Sequence, residues 1–302
     1  MPLGAGGRKT QILLALAAVY FIWGSTYLAI RFALESLPPL LMASARFTLA
    51  GGIMLAVLIA RGVERPSRHQ LRSAMIVGTM LLFVGNGFVC WSQQRVPSGI
   101  AALVISCVPI FMAVMDAVRP GGRRPAPWAM LGIATGFAGL VLLIGPAQGM
   151  SAVDRVGAAG LMIGSLSWSA GSLFARSAPL PANPLLGIAI QMLTAGFLLM
   201  IAGLAFGESA RVHLGALTPR AIASVLYLAV FGSIVAFSCY VWLLKHTTVS
   251  VASTYAFVNP IVAMLLGWGF AGETLGGRTL VAAAIVSAGV AMITLGRPVA
   301  RK

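Results

Sequence analysis

Arg46 is the one charged side chain of this sequence that sits well inside an unbroken apolar run; every other charge lies near the end of such a run or between two of them. The acids Glu35, Glu64, Asp116, Asp154, Glu208 and Glu273 are peripheral in this sense, as are His69, His213 and His246. No carboxylate pair, HExxH helix, GxSxG elbow or phosphate loop is present. Such a set recognises molecules and does not make bonds, so no catalytic residue, metal or cofactor is expected. A proton relay has no candidate carboxylate or histidine deep in an apolar run. Cys90, Cys107 and Cys239 form no CxxC or Cys/His pairing and read as small apolar packing residues.

The groups that can recognise a molecule recur at helical spacing. Tyr20, Trp23 and Tyr27 fall at i, i+3 and i+7; Asn86, Cys90 and Gln93 fall at i, i+4 and i+7, and Tyr255 and Asn259 are four apart. Ser165, Trp168 and Ser172 make a further set, as do Ser233, Phe237 and Tyr240. An amide facing lipid is costly, so Asn86 and Asn259 should face a partner helix, as interhelical ties, or a wet cavity, as ligand contacts. The candidate substrate-binding residues are thus Trp23, Tyr27, Arg46, Asn86, Gln93, Trp168, Tyr240, Tyr255 and Asn259. For Arg46 two readings stand: contact with a substrate carboxylate, or snorkelling and pairing with backbone carbonyls.

The elements that must position these residues are set by hydropathy. The 302 residues are 59% hydrophobic and 9% charged, with mean hydropathy +0.95, against about 25% charged in an ordinary soluble domain. That apolar surface cannot be buried in a water-soluble fold, which makes the lipid bilayer the solvent. Ten windows reach the length of about 20 residues that a helical span needs, at roughly 11–30, 38–60, 71–92, 97–117, 127–145, 157–175, 184–206, 221–244, 250–270 and 279–296. None alternates with period two, so the expected fold is all-α and integral to the membrane. Arg8 and Lys9 before the first run imitate a signal peptide, but the run is long enough to be a retained helix.

A net charge of +15 would suggest nucleic acid in a soluble protein; here the basic residues punctuate apolar runs, and no nucleic-acid partner is expected. Ten spans put Arg8, Lys9, Arg61, Arg65, Arg68, Arg72, Arg119, Arg123, Arg124, Arg176, Lys245, Arg297, Arg301 and Lys302 on the face where the chain starts. Arg31, Arg95, Arg155, Arg211, Arg220 and Arg278 fall on the other. Fourteen against six places both termini in the cytoplasm.

An internal repeat emerges when Pro109 is laid on Pro260: Trp91 and Trp242 both fall 18 residues upstream, and Ala101 and Ala252 eight. Trp23 and Trp168 form another anchor, each followed eight residues later by an arginine, Arg31 or Arg176. Residues 1–150 and 151–302 are the two units, and five helices in each oblige the second to insert upside down. Pro109 and Pro260 near the middle of matching spans are candidate hinges beside a binding site, since each frees the carbonyl four residues earlier, at Ile105 and Ala256. Ordinary packing kinks are the other reading. Gly132 with Gly136, Gly160 with Gly164, and Gly203 with Gly207 have the spacing of close helix contacts, read as packing within one chain and compatible with a monomer.

WGSTYLAIRFA (23–33), ASARFTLAGG (43–52), SGIAALVISCVPIF (98–111) and SVASTYAFVNPIVAMLLGWGFAGE (250–273) resemble the EamA-type members of the drug/metabolite transporter superfamily. The first half has RPGGRRP where the second has Gly272-Glu273. The resemblance implies ten helices in two inverted five-helix repeats around a central cavity, lined by the first, third, fourth, sixth, eighth and ninth. It also implies a bacterial inner-membrane carrier, often an exporter of amino acids or related small metabolites, working by alternating access. Export of drugs, cations or nucleobases is the alternative within that class, and a non-transporting membrane scaffold the alternative outside it.

Overall fold

The computed structural model describes residues 5–119, 126–144, 154–247, 249–252 and 254–295, and within them every regular element is a helix. Eight helices are long and apolar enough to cross a bilayer: Arg8–Ala33, Pro39–Ala60, Arg68–Ser92, Ser98–Val118, Pro127–Ile144, Arg155–Ala175, Pro184–Ala205 and Pro219–Leu243. Two shorter apolar helices, Tyr255–Ala271 and Gly277–Ile293, bring the spans to ten. Residues 120–125 of the basic linker, the boundary at residue 150, and Arg297, Arg301 and Lys302 lie outside the described residues.

Local chemistry fixes where the spans begin. Proline opens the second, fifth, seventh and eighth, where its missing N–H costs nothing. The third starts earlier than hydropathy alone suggests because Ser67 and Gln70 form a reciprocal capping box, and Asp154 caps the sixth by accepting from Gly157 N at 2.6 Å. Large apolar side chains point outward along the bundle, among them Phe21 at 66% and Phe270 at 70% exposure, the surface that lipid covers.

Packing does not follow the two sequence halves. The first span packs on the eighth and ninth, and the sixth packs on the third and fourth, so each half lends its first helix to the other. The second pairs with the seventh and the fifth with the tenth. These pairs close tightly through small residues: Ser44 Oγ donates to Gly196 O at 2.7 Å, and a Cβ on Gly132 would lie 2.8 Å from Gly289 O. Gly160, Gly164 and Gly203 likewise meet neighbours of the same chain. Gly207 meets nothing within 4 Å; its φ of 72° makes it a left-handed helix end instead of a packing contact.

Four spans depart from a continuous α-helix. The fourth breaks into Ser98–Ile105 and Val108–Val118, with Pro109 in the first turn of the second piece. The ninth has a short piece, Val249–Ala252, before Tyr255–Ala271, and Pro260 stays inside the longer helix. Pro109 thus follows a break in its span, whereas Pro260 lies inside a helix that continues on both sides of it. The third and eighth spans each contain a π-helical stretch of eight residues, Thr79–Asn86 and Leu228–Val235. These wide turns occupy corresponding places in the two halves, and nothing in the apolar strings TMLLFVGN and LAVFGSIV announces them.

Candidate substrate cavity

A cavity of about 120 Å³ lies between the group formed by the first, eighth and ninth spans and the group formed by the third, fourth and sixth, with the second span contributing Arg46 and Phe47. That volume holds on the order of ten waters, the scale of a small metabolite. Seven of the nine candidate binding residues line it: Trp23, Tyr27, Arg46, Asn86, Trp168, Tyr255 and Asn259. Pro109 and Pro260 line it too, as do Ile105 and Ala256, each four residues before one of the prolines.

Gln93 and Tyr240 lie elsewhere. Gln93 shares the helix face of Asn86, but seven residues of rise, about 10 Å, lift it above the cavity to the end of the span, where it is buried beside a depression that also holds Glu35 and Arg220. Tyr240 stands one layer behind the wall, its ring 5.3 Å from Trp23 and 5.6 Å from Tyr255. With Phe237, 5.2 Å from Trp23, these rings fix the aromatic side of the cavity edge-on. Thr26, Phe47, Ser106 and Phe237 also belong to the lining; Thr26 and Ser106 donate to carbonyls of their own helices, Trp23 O at 2.6 Å and Leu103 O at 2.7 Å. Phe237 shares a helical face with Ser233 and Tyr240 in the sequence, whereas the signal for Thr26, Phe47 and Ser106 is proximity to Tyr27, Arg46 and Pro109.

Arg46 is 4% exposed and has no acidic partner within salt-bridge distance among the described residues. Its Nε donates to Ser233 Oγ at 3.0 Å, its guanidinium lies 4.8 Å from the Phe47 ring centre, and its Nη1 has no protein hydrogen-bond partner. A guanidinium stays charged in a protein interior. A buried, unpaired cation is costly unless something supplies the opposite charge. Asn259 has a different job: with its amide oriented to suit its neighbours, the nitrogen donates to Tyr255 O and Tyr20 O at 3.2 Å, tying the ninth span to the first.

Carbonyls of the π stretches accept side-chain hydrogen bonds from neighbouring spans. Trp23 Nε1 donates to Gly232 O at 3.1 Å in the eighth span, and Ser167 Oγ donates to Met80 O at 2.8 Å in the third. In each case the donor comes from the first helix of the other half, the exchanged helix. A turn with one extra residue leaves carbonyls out of register with the α ladder, where side chains can reach them.

On the face opposite the chain start, two glutamates follow glycines of left-handed conformation. Gly207 (φ 72°) turns the chain into Glu208, whose carboxylate accepts from Leu40 N at 3.0 Å and Leu41 N at 2.9 Å at the start of the second span. Gly272 (φ 64°) turns it into Glu273, which accepts from Ser98 N at 2.7 Å, Ser98 Oγ at 3.0 Å and Gly99 N at 3.2 Å at the start of the fourth. Each carboxylate serves a helix N-terminus, where unpaired N–H groups and the helix dipole favour negative charge. The Gly-Glu pair noted after the ninth span thus recurs after the seventh.

The pattern described as the EamA-like transporter family matches the chain twice, over residues 9–145 and 155–295. The uncharacterised inner membrane transporter YedA of Escherichia coli (strain K12) is 42% identical over 285 residues, covering 94% of this chain and 90% of that protein. A probable terminal-alkyne amino-acid exporter of Streptantibioticus cattleyicolor is 27% identical over 298 residues, 96% of each chain. A solved crystal structure at 22% identity shares the fold with TM-score 0.64, covering 95% of this chain and 97% of that one. With both halves matched by one family and a relative at this identity spanning nearly all of it, the chain belongs to the EamA-like transporter family.

Proposed function

We propose that this protein exports amino acids or related small carboxylates across the bacterial inner membrane by alternating access. The observation that carries the reading is Arg46: a buried guanidinium in the cavity wall, held at Nε, with Nη1 unpartnered in the protein. A carboxylate is the ligand that matches the geometry and charge of a free guanidinium edge. The aromatic rings of the wall suit the apolar remainder of such a molecule. The names of the relatives, an inner membrane transporter and a probable amino-acid exporter, support membrane and cargo class alike.

Export of a cation is disfavoured by the same charge, because no carboxylate lines the cavity and Arg46 would repel it. A dry scaffold has no use for a cavity of this size. Both termini are placed in the cytoplasm on the distribution of basic residues, and the faces differ further: Glu35, Asp154, Glu208 and Glu273 lie on the opposite side, Glu64 and Asp116 on the side of the chain start. The repeats 1–150 and 151–302 are units of ancestry in this reading. The units that move are the two packing groups on either side of the cavity.

Flux in proteoliposomes tests this. A panel of neutral L-amino acids and their carboxamides is loaded in turn into liposomes with and without the protein. Protein-dependent efflux of at least one acid, faster than of its amide, is expected; efflux equal to that of empty liposomes across the panel would remove the proposal. A fluorescent protein fused to the C-terminus reports the orientation, since it should fold and fluoresce only in the cytoplasm.

A further inference from the structure

The eighth span contains a serine that the wall of the cavity conceals. Ser233 is fully buried, does not belong to the lining, and sits inside the π stretch Leu228–Val235. Its Oγ donates to Leu228 O at 3.0 Å, five residues back, and accepts from Arg46 Nε at 3.0 Å. A hydroxyl has one proton. Committed to Leu228 O, that proton leaves the oxygen lone pairs for Arg46, so Ser233 is an oriented acceptor and not a free rotor.

The neighbouring residue completes the mount. A Cβ on Gly232 would stand 2.9 Å from Thr26 Cγ2 and 3.4 Å from Arg46 Nη2, so glycine lets the first span close on the eighth beside the guanidinium. Gly232 O also takes the Trp23 Nε1 proton. One extra residue in a turn rotates everything after it by about 100°. The π stretch therefore sets the azimuth at which Ser233 and the helix beyond it face the second span.

We infer that Ser233, at 3.0 Å from Arg46 Nε within the π turn of the eighth span, is a positioning residue that sets the preference of the cavity for carboxylates over their uncharged analogues. The inference rests on Arg46 as the carboxylate contact. A guanidinium anchored at Nε cannot swing, and its remaining edge meets a carboxylate with both oxygens. Freed from Ser233, the arginine keeps its charge and loses its aim.

The test compares KM and kcat for one transported neutral L-amino acid and its carboxamide in proteoliposomes. Ser233→Ala is expected to raise KM for the acid about tenfold, with a smaller effect on the amide, and Ser233→Thr to restore most of the preference. Ser233→Cys keeps the size of the side chain and offers Nε–H a sulfur, a weak acceptor; the same loss of preference is expected, and it decides the matter if Ser233→Ala does not fold. The two failures are separable. A wild-type protein that handles acid and amide alike removes the role of Arg46 itself, whereas a wild-type preference that persists in Ser233→Ala and Ser233→Cys removes the role of Ser233.

Discussion

Arg46→Gln is expected to weaken the affinity for a transported amino acid roughly a hundredfold, about 3 kcal/mol, the usual cost of removing one partner from a desolvated charge pair. Glutamine keeps a polar group of similar reach in the wall and discards the charge, so the loss should fall on the acid and spare its amide. Arg46→Lys keeps the charge and gives up the planar fork. It should recover part of the affinity and little of the selectivity, because an ammonium cannot present two parallel donors or stay anchored at Ser233 by an Nε–H. Initial rates across a concentration series, for acid and amide in parallel, give the numbers. Equal affinity of wild type and Arg46→Gln for the acid would mean that the guanidinium is buried for structural reasons and that the cargo is recognised by the aromatic side alone.

Arg46 was legible because charge inside an apolar run is rare and expensive, a signal that survives without any knowledge of packing. Trp23, Trp168 and Tyr255 were legible for a related reason: polar-tipped aromatics at helical spacing away from span ends have few alternatives to an interior face. Helical spacing gives a face and leaves depth open, which is why Gln93, on the face of Asn86, lies at the end of the span and outside the cavity. It also leaves open which of two stacked rings is the wall and which the support, as for Tyr255 and Tyr240. The ten spans follow from hydropathy; their partners do not. That the first span belongs with the eighth and ninth depends on contacts made across more than two hundred residues, such as Trp23 with Gly232 and Ser25 Oγ with Tyr227 OH at 2.7 Å. The π stretches have no composition of their own. What marks them is tertiary: Gly232 O, Ser233 Oγ and Met80 O within them accept from Trp23, Arg46 and Ser167 of other spans.

Glu273→Ala is expected to open the face of the protein opposite the chain start. Of the two glutamates that cap helix starts there, Glu273 alone joins the two packing groups: it follows the ninth span and holds the start of the fourth through three hydrogen bonds. Beside it the groups touch closely, since a Cβ on Gly99 would lie 2.7 Å from the Met264 side chain. In the alternating-access reading, those bonds must break before a substrate can pass between the groups on this side. Losing a charged cap and its hydrogen bonds costs about 2 kcal/mol, which shifts a two-state equilibrium roughly thirtyfold toward the open form. Ala256, in the cavity wall, offers a reporter: in a background with Cys90, Cys107 and Cys239 replaced by alanine, Ala256→Cys is labelled by a membrane-impermeant maleimide applied from that face. Labelling should quicken by at least tenfold in Glu273→Ala. Glu208→Ala supplies the control, because Glu208 joins the seventh span to the second, a pair packed together through its length; it should lower thermal stability without admitting the reagent. Equal labelling of wild type and Glu273→Ala, or equal acceleration by both glutamate variants, would reduce Glu273 to an ordinary helix cap and require the gate to lie elsewhere.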